Sequence, residues 1–238
     1  LLMNATKEDR YILYYQPYYY CNNMELAGVE ALIRLKDYQN NILTPNRFID
    51  YLENSIYLEE FEQWLIKKAI SFIEKYRINI SINISAKLIN KTIINPSFLS
   101  IPIDIGRYLT IEITEREINN AIENYNDEIR SIKLKTGVNI SIDDFGTGYS
   151  SLSRMKDLPA DIVKIDMSFV RDMEKSEKNK DFVAAIIDLS RRFHFKTVAE
   201  GVESSAQLKI LQQLGCDMVQ GYLFSKPVPE EKLTFYRQ

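Results

Sequence analysis

From about residue 79 onward the sequence keeps returning to one pattern, a short apolar run followed by an amphipathic stretch. Strands are predicted near 79–84, 108–113, 138–143, 161–165, 196–200 and 217–220, with helices near 119–135, 150–156, 181–193 and 204–214. Strands that are mostly short apolar runs are expected when helices cover them. Two earlier strands, at 11–15 ending on Gln16-Pro17 and at 26–35, are separated by an Asn22-Asn23 turn. A connection that short makes a hairpin, so this pair is antiparallel. Eight strands, six of them alternating with helices, define an α/β chain closing as an irregular (β/α)8 TIM-like barrel with one antiparallel strand near the N-terminus. An open doubly wound sheet is the alternative, but no Gly-rich dinucleotide loop follows an early strand.

Two helices are predicted at 46–53 and 59–76; in the second, Phe61, Leu65, Ala69, Phe72, Ile73 and Tyr76 recur at helical spacing, with Trp64 beside them. The helix at 181–193 carries a stripe of Phe182, Ile186, Leu189 and Phe193, and the helix at 204–214 starts at a serine cap and stops before Gly215. The charged run 174–181 is read as a solvated loop. No internal repeat or linker interrupts the pattern, so residues 1–238 are read as a single barrel domain, excised from a longer multidomain protein because the sequence does not start at Met.

A net charge of −3 argues against a protein that coats DNA or RNA polymers, although metal ions can still bring a small anion to an acidic site. Two cysteines, Cys21 and Cys216, are too few for a disulfide framework and fit a reducing, cytoplasmic setting. No apolar run nears the roughly 20 residues of a membrane span, and no membrane contact is expected from this segment.

The chemistry lies in where the polar residues fall. Glu30 sits in the second strand, Asn83 in the third and Glu112 in the fourth; Asp143 and Asp144 close the next, Lys164 and Asp166 the next, then Glu200 and Gln220. In a barrel, the C-terminal strand ends converge on one mouth. A carboxylate in an apolar strand, as Glu30 is, needs a cation or a donor to offset desolvation. Carboxylates and amides without thiolate or imidazole suit Mg²⁺ or Mn²⁺ over zinc. Several carboxylates with one lysine fit a two-metal site for displacement at phosphorus. The only histidine, His194, is read as structural.

These motifs together resemble the EAL-domain phosphodiesterases specific for cyclic di-GMP, from about Tyr14 to Pro229. The resemblance rests on Glu30-Ala31-Leu32 with Arg34, Ser81 to Ser85 around Asn83, Glu112-Ile-Thr-Glu115, the loop from Asp143 to Leu152, Lys164-Ile-Asp166, Glu200-Gly-Val-Glu203 and Gln220-Gly-Tyr. It implies hydrolysis of cyclic di-GMP to linear pGpG with two ions, Mg²⁺ or Mn²⁺. Glu30, Asn83, Glu112 and Asp143 would hold the first ion. Asp143 would bridge to the second, with Asp144 and with Glu200 directly or through water. Glu30, Lys164 and Glu200 are the implied catalytic residues, and Lys164 would bind the attacking water or stabilise charge as it develops. Glu115 would fasten the Asp143-Asp144 loop. Gln16, Arg34, Asp166, Glu203 and Gln220 would shape the substrate groove or steady the inner shell. The resemblance also allows a homodimer and a fused sensory or GGDEF domain. Two departures stand out: Arg116 where the family often has serine, and Leu35 where it often has tryptophan, a change that could alter guanine stacking.

Two rivals remain on sequence grounds. A catalytically silent cyclic di-GMP receptor would use the same groove, although such receptors usually break the ligand set. A Schiff-base lyase would use Lys164 as a nucleophile, which needs a neutral amine.

Overall fold

A computed structural model describes residues 2–85, 100–119, 125–147 and 158–233. The described strands are β1 (Tyr11–Tyr20), β2 (Leu26–Lys36), β3 (Ile42–Leu43), β4 (Ile80–Asn83), β5 (Leu109–Thr114), β6 (Asn139–Phe145), β7 (Ile162–Ile165), β8 (Lys196–Ala199), β9 (Met218–Gln220) and β10 (Val228–Pro229). The sheet runs β10-β1-β9-β8-β7-β6-β5-β4-β2-β3, and β1 also pairs with β2. That extra pairing closes eight strands into a barrel. β2 and β4 to β9 run parallel, while β1 is antiparallel to both of its barrel neighbours. The expected TIM-like barrel with one reversed strand is therefore the fold.

The helices are α1 (Ile49–Glu53), α2 (Leu58–Tyr76), α3 (Ile103–Gly106), α4 (Glu115–Asn119), α5 (Tyr125–Thr136), α6 (Met167–Asp172), α7 (Glu177–Arg192) and α8 (Ser205–Leu214). The strands alternate strictly: Ile80, Ile82, Leu109, Ile111, Ile113 and Ile140 are buried in a core shared with α1, α2, α3 and α5, and Ile142 is buried in a second cluster. The intervening residues, Ser81 and Asn83, Thr110 and Glu112, Ser141 and Asp143, face the opposite side, which in a closed barrel is the interior and the mouth. A second core cluster joins β7 to β9 with α6, α7 and α8. Small polar residues inside leave room for Tyr18, whose cross-strand partner is Gly28; a Cβ on Gly28 would lie 2.3 Å from the Tyr18 hydroxyl.

Several expectations need correction. β1 passes through Pro17 to Tyr20 instead of stopping at Gln16-Pro17. On one flank β10 pairs only with Tyr14 and Tyr15, and β9 only from Tyr18 onward. Pro17 thus falls in a gap where no ladder bond from its nitrogen is needed. Residues 174–181 are not all loop, because Ser176 caps α7 by accepting the Asn179 N–H at 3.2 Å, so the helix begins at Glu177. On that helix Val183, Ile186, Ile187 and Ser190 are buried, whereas Phe182 is 40% exposed and packs on Phe169. The region near 46–53 splits into a 3-10 turn, Pro45–Arg47, and α1. The predicted helix at 150–156 and the loop residues 148–152 lie outside the described residues, as does part of the helix at 119–135. Both cysteines are free and buried. His194 is exposed with a positive φ of 64°, ending the α7 turn. No helix among the described residues is long and apolar enough to cross a membrane.

Candidate active site at the barrel mouth

Each functional side chain is placed by strand register. Gln16 lies opposite Glu30, Glu30 beside Ser81, Asn83 beside Glu112, and Thr114 beside Asp143. Register shifts between Ile142 and Phe145 in the pairing of β6 with β7. Asp143 and Asp144 occupy this bulge, and Asp144 takes a left-handed φ of 54°. Two successive residues of a regular strand face opposite sides; the bulge and the left-handed turn free the chain from that alternation. The Asp144 N–H donates to Asp143 Oδ1 at 2.9 Å, which fixes the first carboxylate.

At the centre stands Lys164, 2% exposed. Its Nζ lies 2.8 Å from Glu200 Oε1, 2.9 Å from Glu112 Oε2, and 3.4 Å from both Glu30 Oε2 and Asp143 Oδ1. Glu30 is held further by donors from two sides, Gln220 Nε2 at 2.9 Å and Asn83 Nδ2 at 3.2 Å. Burial alone would strip Lys164 of its proton, but Asp143, Glu112, Glu200 and Glu30 outweigh it and raise its pKa well above an ordinary lysine's. A lysine held charged in this way is no amine nucleophile, which removes the basis for a Schiff-base lyase.

One ammonium does not satisfy four clustered acids, two of them buried and two partly exposed. Burial, then the charges of Glu30 and Asp143, push Glu112 well above the usual carboxylate range despite the pull of Lys164. Burial, reinforced by Asp143 and Glu30, pushes Glu200 up to about 8 although Lys164 opposes it. Burial would raise Glu30 too, but Lys164 and the hydrogen bonds from Gln220 and Asn83 overcome it and lower its pKa. Asp144 is raised by burial and by Asp143 and Asp166. Asp143, Asp144 and Glu200 each offer an oxygen within 4.8 Å of the others, a grouping that could hold a metal ion.

The remaining residues frame this centre. Glu115 is buried and its Oε2 accepts the Gly146 N–H at 2.9 Å. Gln16 donates to the Ser225 carbonyl at 3.1 Å. Gln16, Glu203 and Gln220 line a groove of about 520 Å³ that reaches Asp143 and Glu200. Arg34 and Asp166 do not line it. Arg34 donates to the Ile33 carbonyl at 2.8 Å and lies over the Tyr14 ring, on the same face of β2 as Glu30 but further out. Asp166 caps α6 through the Ser168 N–H at 3.0 Å. Leu35 is wholly buried, on the outer face of β2, so it stacks on nothing at the mouth.

Tyr222, from the Gln220-Gly-Tyr motif, shares the groove with Met167 and Arg171, which belong to no motif read from the sequence. On the other side of the acids a chamber of about 330 Å³ continues from Glu30, Asn83, Glu112 and Asp143 to Ile49, Leu58, Phe61 and Leu65, with Glu53 and Glu62 in its wall. Glu62 had a signal in the sequence: it is an acid on the apolar face of α2, between Phe61 and Leu65.

A closed β/α barrel that gathers acids, amides and one lysine at the C-terminal ends of its strands has its site where barrel enzymes keep theirs. The chain belongs to the EAL domain family, whose model matches residues 2–227. Among curated relatives, the signaling protein YkoW of Bacillus subtilis is 34% identical over 98% of this chain and 30% of its own length. The cyclic di-GMP phosphodiesterase NbdA of Pseudomonas aeruginosa is 32% identical over 99% of this chain and 32% of its own. The chain therefore spans about a third of the length of the curated relatives it matches. A solved structure, "PaMucR Phosphodiesterase, c-di-GMP complex", superposes with a TM-score of 0.87 at 32% identity, covering 98% of both chains.

Proposed function

We propose that this domain hydrolyses one phosphodiester of cyclic di-GMP to linear pGpG, using two Mg²⁺ or Mn²⁺ ions, as one unit of a longer signalling protein. The observation that carries this reading is the arrangement around Lys164: four carboxylates from four different strands or strand ends lie within 3.4 Å of one ammonium. Uncompensated buried charge is costly, and divalent cations bound to hard oxygen donors would relieve it. The donor set fits them, being carboxylates and an amide throughout. Glu30, Asn83, Glu112 and Asp143 would hold one ion; Asp143, Asp144 and Glu200 would hold the other. Bound there, the ions would lower the pKa of an attacking water and offset charge on the phosphoryl oxygens.

The protein's own groups do the rest. Lys164 holds the water and offsets charge developing at phosphorus. Glu30 and Glu200 would hold the ions and keep Lys164 beside them through their contacts with its ammonium. A bond forms from the water oxygen to phosphorus, the P–O3′ bond breaks, and the proton lost by water is balanced by one gained at O3′. The groove beside the acids, which reaches Asp143 and Glu200, gives the ligand a berth. Gln16, Glu203 and Gln220 shape the groove, Arg34 offers a planar donor to phosphate at the rim, and Asp166 steadies α6 beneath Met167 and Arg171. Relatives named for cyclic di-GMP phosphodiesterase activity, and one solved with c-di-GMP, support the choice of substrate.

The test is incubation with cyclic di-GMP and Mg²⁺ followed by chromatography of the nucleotides. Linear pGpG is expected with metal and none after chelation by EDTA. Full turnover after rigorous chelation would sink the two-metal reading; tight binding without product would make the domain a receptor.

A further inference from the structure

Glu62 is 1% exposed on the face of α2 that packs against the barrel. A carboxylate in such a place needs a hydrogen-bond donor to offset its desolvation. It has one of particular kind: Glu62 Oε1 accepts the backbone N–H of Ser85 at 3.1 Å. β4 ends at Asn83, and Ile84 N–H still donates to the Glu112 carbonyl at 3.1 Å. Ser85 is the next residue, where a side chain of the outer helix takes over from the ladder. Glu62 also lines the chamber that holds Glu30, Asn83 and Glu112. The same device recurs across the mouth, where Glu115 accepts the Gly146 N–H just after Asp143 and Asp144. In both places a buried carboxylate takes a main-chain N–H two residues beyond a residue of the acid cluster.

We propose that Glu62 is a positioning residue for Asn83: by holding Ser85 it fixes the end of β4, and so the Asn83 amide, beside Glu30 for cation binding. This rests on the metal-dependent reading above. The test measures Mn²⁺ affinity of the full chain directly, by electron paramagnetic resonance titration, alongside kcat and KM at saturating Mn²⁺. Glu62→Met should weaken Mn²⁺ binding about 10–100-fold, the range for groups that orient ligands from behind. Glu62→Gln, whose amide oxygen still accepts the Ser85 N–H, should restore most of it. KM for the nucleotide at saturating Mn²⁺ should not move. Glu62→Asp keeps the charge but shortens the reach, and should lose affinity even if the Met variant fails to fold. A folded Met or Asp variant with wild-type Mn²⁺ affinity overturns the proposal, as does a raised nucleotide KM with unchanged Mn²⁺ affinity. Wild-type protein that binds no Mn²⁺ would instead overturn the two-metal reading itself.

Discussion

Glu115 Oε2 accepts the backbone N–H of Gly146 at 2.9 Å, joining the first residue of α4, just past β5, to the turn that follows Asp143 and Asp144. The bond secures a bulged, left-handed stretch whose two carboxylates must point to one place. Glu115→Ala should therefore loosen the turn and lower Mn²⁺ affinity about 10–100-fold. The fold should survive, at a cost of about 1–3 kcal/mol for the N–H left unpaired. Titration of the variant with Mn²⁺ checks this; unchanged affinity would contradict the role.

Removing one charge from the Lys164 cluster should have opposite effects depending on its sign. Lys164→Met leaves the buried Glu30 and Glu112 without their ammonium and should destabilise the metal-free chain by about 3–5 kcal/mol. Glu112→Gln relieves repulsion on a carboxyl already driven towards its neutral form, so its thermal midpoint without metal should equal or exceed wild type. Thermal melts in EDTA separate the two, and a Glu112→Gln variant that melts well below wild type would show that the acids are already balanced.

Glu30→Ala should abolish hydrolysis while keeping the fold. It removes the carboxylate to which Lys164, Asn83 and Gln220 all turn, yet leaves Lys164 three acids. The loss of turnover should exceed the roughly 100-fold typical of outer partners. Circular dichroism beside a cyclic di-GMP assay decides it, and near-normal turnover removes Glu30 from the centre of the reaction.

The pH dependence has a definite direction. Glu200 titrates near 8 in the folded chain and near 4.5 when unfolded, so between these values the folded state holds more protons. Stability of the metal-free chain should then fall as pH rises across that window. Glu30, whose pKa is lowered, adds its contribution below this window, and the raised Lys164 is charged throughout it. Cations need the deprotonated acids, so Mg²⁺ or Mn²⁺ affinity should climb from pH 6 towards 8, with proton release on binding. Calorimetry in buffers of different ionisation enthalpy reads that release; pH-independent affinity would refute it.

Gly221 offers a purely steric test. A Cβ there would lie 2.1 Å from the Val202 carbonyl oxygen and 2.3 Å from its nitrogen, and backbone on that side has no room to retreat. Gly221→Ala should cost about 1–3 kcal/mol or more and shift the neighbouring Gln220 off Glu30, lowering activity as well as melting temperature.

Much of this was legible beforehand because a barrel converts strand position into spatial convergence. Glu30, Glu112, Asp143, Lys164 and Glu200 were each readable as polar groups at or near a strand end, and they do meet. What escaped depended on contacts between elements far apart in sequence. The passage of β1 through Pro17 needs the gap between β10 and β9, which no local pattern reveals. The alternation of Ser81 with isoleucines, and of Thr110 and Glu112 with theirs, was present in plain sight but blurred by reading those segments as apolar runs. Where Arg34 and Asp166 sit was not legible either: one rests over Tyr14 and the other caps a helix, contacts that depend on neighbouring elements.

The reversed first strand has a consequence for how the chain is made. β1 is the seam between β2 and β9, so the cylinder cannot shut until Tyr18 finds Gln220, some two hundred residues later. A nascent chain on the ribosome must carry an unmated strand flank until β9 of this barrel has emerged, a stage at which such flanks invite aggregation. The same late event delivers the Gln220 amide to Glu30, so the acid pocket is finished only when the last strand of the barrel has been made.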